Sequence, residues 1–158
     1  MRRATPDDAE ALHALMRAAF TPFRDQYTDA CFDATIIDAP RFRRRMQEGP
    51  VWVLDSEGQA VGTVGAKVDD RGLYVRGMAV HPDARRQGVG RRLLDACVDY
   101  ARDQGIDTLW LSTTTFLDAS AALYETYGFR PAQGPADLRG TPLRSYELRL
   151  ADLDALSP

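Results

Sequence analysis

The apolar positions of the first fifty residues recur at helical spacing. Thr5-Pro6-Asp7-Asp8 has the composition of a helix start, and the apolar positions that follow predict a helix over residues 6–20. Residues 21–37 mix aromatic and acidic side chains with weak periodicity, a pattern typical of a loop with a short helix. Asp38 is placed to cap another helix, which Gly49-Pro50 ends.

From residue 51 the pattern becomes that of strands. Residues 51–54, 61–68 and 73–80 are apolar runs separated by short polar turns, which predicts three antiparallel strands. An amphipathic helix over residues 88–104, a strand over 108–112, a helix over 118–127 and a last strand over 145–150 follow. This order predicts an α/β fold of the α+β type, with a mixed, mostly antiparallel sheet of roughly six to seven strands flanked by about four helices.

Length and composition limit the number of domains and the classes of partner. With 158 residues and 44% hydrophobic content, the chain is expected to form one domain over residues 1–158. Its 20 basic and 23 acidic residues give a net charge of −3, which argues against nucleic-acid and membrane partners. The short basic run at residues 41–45 is interpreted as a solvated helix face. No apolar run approaches the roughly 20 residues of a bilayer span and no apolar signal core follows Met1, so a cytoplasmic location is expected.

The two cysteines offer neither a metal site nor an evident nucleophile. Cys31 and Cys97 lie far apart without metal-ligand spacing, so no metal is expected. Cys97 falls among apolar residues at helical spacing and is interpreted as a buried thiol. His13 and His81 carry no signal that links either of them to Cys31 as a base. A covalent acyl-enzyme is therefore not expected.

A segment rich in glycine and arginine carries the strongest chemical signal. Arg85-Arg86-Gln87-Gly88-Val89-Gly90 lies between the predicted strand over residues 73–80 and the following helix. Glycines at this position let backbone N–H groups approach a phosphate, while the helix dipole and the arginines supply positive charge. On spacing alone, a plain tight turn beside a solvated helix start stays open. A P-loop needs Gly-Lys-Ser/Thr and a dinucleotide fold needs a third glycine at Leu93, so neither fits.

Two motifs resemble those of the GNAT family of N-acetyltransferases. Met78-Ala79-Val80-His81-Pro82, followed by Arg85-x-x-Gly88-x-Gly90, is similar to the family's acetyl-CoA signature. Ala121-Ala122-Leu123-Tyr124-Glu125-Thr126-Tyr127-Gly128-Phe129 is similar to its second motif, a helix whose tyrosine precedes a Gly-Phe pair. The predicted order of strands and helices fits the family over nearly the whole chain. The resemblance implies a GNAT-like acetyltransferase domain that uses acetyl-CoA as cosubstrate.

The resemblance assigns cofactor contacts to particular positions. It implies that the amides of residues 86–90, with Arg85 at the edge, bind the pyrophosphate of CoA and that residues 78–80 lie beside the pantetheine arm. The arm would lie between splayed strands over residues 73–80 and 108–112, and a bulge near Met78 would free an amide for the thioester carbonyl. The cofactor-binding residues implied are Met78, Ala79, Val80, Arg85, Arg86, Gln87, Gly88, Val89 and Gly90.

The resemblance also implies one catalytic side chain. Tyr124 matches the tyrosine that, in many members, hydrogen-bonds the departing sulfur and protonates the CoA thiolate. A phenol with a pKa near ~10 suits that task. A core aromatic on a helix face is the alternative interpretation, and Tyr127 is the weaker catalytic candidate.

The group that deprotonates the amine is not evident. Some relatives place Glu or His where this chain has Tyr74 and Arg76, so the proton would pass through water or through an acid elsewhere. The acids available in the aromatic-acidic segment are Asp25, Asp29 and Asp33.

The second motif departs from the family pattern at one position. Leu117 stands where many relatives carry Asn, and Ser120 or a hydroxyl of residues 113–115 could replace that contact. Asp118 is interpreted as the N-cap of its helix.

The acceptor is the least determined part of the expected reaction. The resemblance places the acceptor wall in residues 20–42, whose aromatics and acids suit a cationic amine, with a solvated acidic face as the alternative. We expect transfer of an acetyl group to a primary amine, either a small molecule or a peptide N-terminus, by direct attack in a ternary complex. A non-catalytic acyl-CoA-binding or sensing module is the alternative function, and a homodimer stays open.

Overall fold

The computed structural model describes residues 1–156, so Ser157 and Pro158, the last two residues of the predicted domain, lie outside the described residues. Three helices precede three consecutive strands in the N-terminal half of the chain, and 3₁₀ turns lie at Pro6–Asp8, Thr21–Gln26 and Pro82–Ala84. The elements are β1 (Arg2–Arg3), α1 (Ala9–Phe20), α2 (Asp29–Thr35), α3 (Ala39–Glu48), β2 (Val51–Ser56), β3 (Gln59–Asp69), β4 (Gly72–Val80), α4 (Val89–Asp103), β5 (Thr108–Thr114), α5 (Asp118–Tyr127), β6 (Arg130–Ala132), β7 (Asp137–Leu138), β8 (Thr141–Arg149) and α6 (Leu150–Ala155).

The strands form one mixed sheet in the order β1-β2-β3-β4-β5-β8-β6, and β7 pairs with β8. Among the strand pairs of residues 1–156, β4–β5 alone is parallel. The predicted α/β fold with a mostly antiparallel sheet is therefore confirmed, although the described residues form eight strands and six α-helices, more than the prediction. The strands missed are two or three residues long, too short for a detectable alternation.

Capping explains the boundaries of the N-terminal helices. The Thr28 hydroxyl accepts a hydrogen bond from the Cys31 amide at the start of α2. The Asp38 carboxylate does the same for the Arg41 amide, at 3.0 Å, and so begins α3 as predicted. The segment expected to be a loop with a short helix consists of the 3₁₀ turn Thr21–Gln26 followed by α2.

Helices cover both faces of the sheet. Trp52 and Leu54 of β2 belong to the core beneath α4 and α5. Val51 and Val53 belong to the core beneath α1 and α3. Neighbouring residues of a strand point to opposite faces, so the part of a strand that is covered on both sides is apolar at every position, as residues 51–54 of β2 are. None of the helices within residues 1–156 is long and apolar enough to cross a membrane.

Two irregularities in the middle of the sheet create space for a site. β4 and β5 pair only at Leu73–Leu109 and Tyr74–Trp110, and no further pair continues along the two strands in the described structure. β4 also bulges against β3, because Gly77 and Met78 lie opposite a single residue, Val64. Gly77 has a φ of +61°, in the left-handed region that favours glycine. The predicted splay and bulge are both present.

The end of the chain differs from the prediction. The last strand begins at Thr141, four residues before the predicted start, and a short helix, α6, follows it from Leu150. Pro142 lies inside β8 and pairs with Asp137 of the two-residue strand β7. A proline in an apparent strand argues against extending it, which explains the late predicted start.

Candidate functional site

A cavity of about 580 Å³ lies where β4, the start of α4 and the start of α5 come together. Among the predicted cofactor-binding residues, only Gln87 is absent from its wall, and the side-chain amide of Gln87 donates instead to the Asp83 carbonyl at 3.3 Å. The others line the cavity: Met78, Ala79, Val80, Arg85, Arg86, Gly88, Val89 and Gly90. Their role in cofactor binding stays a prediction, but the structure brings these eight residues together around a single cavity.

The start of α4 presents unpaired backbone donors to this cavity. The first amide of the helix ladder is that of Arg92, which donates to the Gly88 carbonyl at 3.1 Å. Among residues 1–156, the amides from Arg86 to Arg91 find no backbone or side-chain acceptor. The N-cap is Gly88, with a φ of +77° and no side chain to cap the helix. Unpaired amides at a helix N-terminus form a site for an anion.

The charges on the wall of this cavity of about 580 Å³, the larger of two adjoining cavities, favour a polyanion. Arg85, Arg86 and Arg91 line it, and among its described lining residues Asp118 is the single acid. The Arg85 guanidinium also donates to the Ala19 carbonyl at 3.2 Å, which ties the loop to the end of α1. Three positive charges against one negative charge give the wall a net positive potential.

A smaller cavity, of about 160 Å³, adjoins the larger one. Its wall combines residues of α1 to α3 with residues of β4, β5, α5 and the β7–β8 hairpin. Phe20, Met78, Leu117 and Ser120 line both cavities, so the two spaces meet at these residues. The β4 bulge lies at this junction, because Met78 belongs to it. Molecules bound in the two cavities would therefore meet beside Met78.

Tyr124 lines the smaller cavity. Its ring is buried and packs 5.9 Å from the ring of Phe129 and 5.8 Å from that of Tyr146, measured between centroids. Burial raises the pKa of the Tyr124 hydroxyl well above its ordinary value, so the group stays protonated at neutral and moderately alkaline pH. A neutral phenol therefore belongs to the wall of the smaller cavity.

Tyr127 has a structural contact instead. Its hydroxyl donates to the Asp95 carboxylate at 2.7 Å and so links α5 to α4. Burial, together with that carboxylate, raises the pKa of Tyr127. Tyr127 is absent from the walls of both cavities. Its position favours a packing role over a catalytic one.

The aromatic residues of the predicted acceptor wall divide between the two cavities. Tyr27 lines the smaller one, and burial raises the pKa of its hydroxyl to about 12. Phe23 lines the larger one, stacked on Phe116 with 6.2 Å between ring centroids. The segment predicted to form the acceptor wall therefore contributes aromatic side chains to both cavities.

The acids of the same segment lie away from both cavities. Asp25, Asp29 and Asp33 are exposed, and none of them lines either cavity. Helix α2 buries Cys31 and leaves its acids on the solvent face. The alternative of a solvated acidic face is therefore the better interpretation, and the proposal that these acids attract a cationic amine or serve as its base loses its support.

Sequence reasoning missed the charged residues of the smaller cavity. Arg45 and Arg76 both line it. Arg76 lies two residues after Tyr74 on β4, so the two side chains share one face of the strand. Arg45 lies on α3. The signal for Arg45 was available: Ala39 and Phe42 are buried, and the next position of that stripe, three residues on, is Arg45.

The start of α5 also differs from expectation in one detail. Asp118 is the first helical residue, and the N-cap is Leu117, without a capping side chain. Asp118 was predicted as the N-cap and instead lines the larger cavity. Ser120 lines both cavities, and Thr114 lines the smaller one, where its hydroxyl lies beside that of Tyr27.

Neither cysteine contributes to this site. Cys31 and Cys97 are buried and free, and both are absent from the cavity walls. Burial raises the pKa of the Cys97 thiol, which keeps it protonated and unreactive. Within residues 1–156, no group of three or more His, Cys, Asp or Glu side chains could hold a metal ion.

Comparison with known proteins places this geometry in a family. A family model described as "Acetyltransferase (GNAT) family" matches residues 10–129. The probable N-acetyltransferase camello of Xenopus laevis is 31% identical over 108 residues, which are 66% of this chain and 49% of that protein. The [ribosomal protein bS18]-alanine N-acetyltransferase of Escherichia coli K12 is 46% identical over 55 residues, 35% of this chain and 37% of that protein. The chain thus spans about half the length of the first of these relatives.

Solved structures share the fold. The PaiA N-acetyltransferase of Thermoplasma acidophilum, crystallised in complex with coenzyme A, superposes with a TM-score of 0.79 at 13% identity. The superposition covers 94% of this chain and 96% of that one. A likeness at this identity concerns the fold, whereas the family match rests on the sequence of residues 10–129. The chain belongs to the acetyltransferase (GNAT) family.

Proposed function

We propose that this chain, as one domain over residues 1–158, is an N-acetyltransferase that transfers the acetyl group of acetyl-CoA to a primary amine within a ternary complex. The observation that carries the proposal is the meeting of two cavities at Met78, with a buried, protonated tyrosine beside the junction. The names of relatives such as the bS18-alanine N-acetyltransferase support an amine as acceptor.

The larger cavity fits a CoA molecule. The unpaired amides at the start of α4, between residues 86 and 91, would bind the pyrophosphate, with Arg85 and Arg86 supplying positive charge. A Cβ added at Gly88 would meet nothing within 4 Å, so the backbone is open to a ligand there. The pantetheine arm would lie beside Met78, Ala79 and Val80, in the gap that opens between β4 and β5. The coenzyme-A complex of the PaiA neighbour supports the same choice of ligand.

The β4 bulge would supply an oxyanion donor. Because Gly77 and Met78 face one residue of β3, the bulge leaves a β4 amide without its ladder partner. An unpaired amide near Met78 would stabilise the negative charge that develops on the acyl oxygen, and removal of one such donor typically costs ~10²- to ~10³-fold in rate. The acyl group would then be placed at the junction of the two cavities.

Tyr124 would act as the general acid. The phenol is protonated at neutral pH, so its O–H would donate a hydrogen bond to the departing sulfur and pass the proton to the CoA thiolate, and solvent would then return a proton to the phenolate. The amine would attack directly, because both thiols are buried away from the cavities. Among the described lining residues of the smaller cavity there is no carboxylate and no imidazole, so water would take the proton from the ammonium form.

Thiol release from acetyl-CoA tests this function. The purified chain would be mixed with acetyl-CoA and a panel of amines, while CoA affinity is measured by calorimetry. We expect amine-dependent thiol release with intersecting double-reciprocal lines, as a ternary complex requires. Tight CoA binding without thiol release from any amine would instead favour the non-catalytic module, and parallel lines would contradict direct attack.

A further inference from the structure

The smaller cavity has a cationic wall. Its charged lining residues, within the part of the chain that the structure describes, are Arg45 and Arg76. The rest of its wall is apolar, aromatic or hydroxyl-bearing, with Tyr27 and Tyr74 among the aromatics. A site for a simple alkylammonium would be expected to offer carboxylates or aromatic faces without competing cations. The wall is therefore built for a ligand with negative charge.

The charge balance leaves one positive charge without a partner. Arg76 donates to the Glu48 carboxylate at 2.7 Å, and Glu48 is not a lining residue. Arg45 takes part in none of the ion pairs or side-chain hydrogen bonds found within residues 1–156. The Nε atom of Arg76 is also buried without a hydrogen-bond partner in the same part of the chain. Two guanidinium groups against one carboxylate leave a net charge of one, which matches a singly charged anion.

The environment of Arg45 makes an anionic partner favourable. Burial, and secondarily the nearby Arg76 cation, lower the pKa of Arg45 to about 10. The guanidinium therefore stays charged at neutral pH, although its surroundings disfavour the charged form. A bound carboxylate would offset that penalty through charge-assisted hydrogen bonds to the guanidinium.

Arg45 also lies next to the point of transfer. Its Nη1 atom is 3.1 Å from the position that a Cβ would occupy at Gly77. Gly77 is the bulge residue directly before Met78, which lines both cavities. An anion bound by Arg45 would therefore lie close to the reacting amine. The acceptor would accordingly carry its amine and its negative charge only a few bonds apart.

The volume limits the size of that part. The smaller cavity measures about 160 Å³. A cavity of roughly 150 Å³ holds benzene, a molecule of six heavy atoms. The space beside Arg45 thus suits a compact group that contains both an amine and an anion, while the open side of the cavity leaves room for the rest of the molecule.

We propose that the acceptor is a small amine that carries a carboxylate, such as a free amino acid, and that Arg45 and Arg76 bind this carboxylate. This inference rests on the proposed acetyltransferase function and specifies its substrate class. A doubly charged phosphate is disfavoured, because the wall offers one uncompensated positive charge.

Matched pairs of acceptors test the inference. Glycine, β-alanine and a panel of L-amino acids would each be compared with the corresponding carboxamide, which keeps the shape and removes the charge, by thiol release from acetyl-CoA. Amidation lowers the pKa of the amine, so rates are compared per neutral amine. We expect kcat/KM to be ~10- to ~100-fold higher for the best carboxylate than for its carboxamide, the range typical of hydrogen bonds to charged groups.

Substitution of Arg45 assigns that preference to the cavity wall. Arg45→Met keeps the length and removes the charge, and we expect it to lower kcat/KM for carboxylates far more than kcat/KM for carboxamides, which abolishes most of the preference for carboxylates. Arg45→Lys should restore part of the preference, because it restores the charge without the planar fork. Arg44→Gln removes a positive charge from an exposed neighbour on the same helix and should leave the preference unchanged. CoA affinity should be unaltered in all three variants.

The possible results separate the two claims. Turnover of carboxamides, or of short peptides with amidated ends, at rates equal to or above those of free amino acids would overturn the carboxylate inference and leave the acetyltransferase function intact. A preference for carboxylates that survives unchanged in a folded Arg45→Met variant would also overturn it. Absence of turnover with every amine would overturn the proposed function, and the inference with it.

Discussion

Substitution at Gly88 tests whether the start of α4 binds the pyrophosphate of CoA. Gly88 and Gly58 are both exposed, have φ values of +77° and +79°, and offer open space to an added Cβ, since nothing lies within 4 Å in either case. Gly88 lines the larger cavity, whereas Gly58 lies in the turn between β2 and β3 and lines neither cavity. Gly58→Glu is therefore a matched control for Gly88→Glu.

The structural cost should be equal in the two variants. A side chain at a left-handed residue costs roughly 1–2 kcal/mol, against a typical domain stability of ~5–15 kcal/mol, so both variants should fold. For a domain of about this size, the melting temperature should fall by roughly 2–8 °C in each. Far-UV circular dichroism and thermal melts measure this part.

The binding cost should differ. A new carboxylate ~4 Å from a phosphate is unfavourable by ~1 kcal/mol in bulk water and ~4 kcal/mol at an effective dielectric constant of ~20. Gly88→Glu should therefore weaken CoA binding by ~5- to ~1000-fold relative to Gly58→Glu, and less so at high salt. Calorimetry with CoA measures the difference. If the two variants bind CoA within about twofold of each other while both are folded, the loop does not bind the pyrophosphate.

Three further predictions concern the junction and the smaller cavity. Tyr124→Phe should lower kcat by ~10²-fold with acetyl-CoA affinity nearly unchanged, and normal turnover in this variant would remove Tyr124 from the mechanism. Tyr127→Phe is the control: it loses the hydrogen bond to Asp95, so it should cost ~1 kcal/mol of stability and leave kcat intact. Tyr27→Leu should raise the acceptor KM, whereas Phe23→Leu should weaken CoA binding. The reverse result in steady-state kinetics would show that the acceptor binds in the larger cavity and CoA in the smaller one. Because no carboxylate or imidazole is found among the described lining residues of the smaller cavity, log kcat/KM should rise with unit slope as pH approaches the pKa of the acceptor amine, then level off. If log kcat/KM instead levelled off near pH 6–7, at the same pH for amines of different pKa, a base on the enzyme would be responsible.

The parts of the fold set by local pattern could be predicted from the sequence. The four apolar residues that begin β2 and the capping position of Asp38 depend on neighbours in the chain, and the structure has the strand and the helix where they were expected. The bulge at Gly77 was expected only through resemblance to a family. Its register depends on β3 and its positive φ on glycine, neither of which an alternation of apolar residues reveals.

The parts of the site set by tertiary packing could not be predicted. Tyr27 and Phe23 are four residues apart in one segment, yet the 3₁₀ turn that contains Phe23 directs the two rings to different cavities. Arg45 was grouped with its exposed basic neighbours, because only the packing of α3 over β4 brings it beside Gly77. The acids of α2 suggested a cationic acceptor until the buried position of Cys31 showed which face of that helix meets solvent.

A crystal structure of the chain with CoA tests the central claim, that two cavities meet at the point of acyl transfer. We expect the pyrophosphate against the amides of residues 86–91 and the CoA sulfur at the junction beside Met78, within hydrogen-bond reach of the Tyr124 hydroxyl. We also expect the smaller cavity, with Arg45 on its wall, to open directly onto the sulfur. A sulfur that lies away from Met78 and Tyr124, or a pyrophosphate bound elsewhere than at the start of α4, would show that acyl transfer does not occur at this junction.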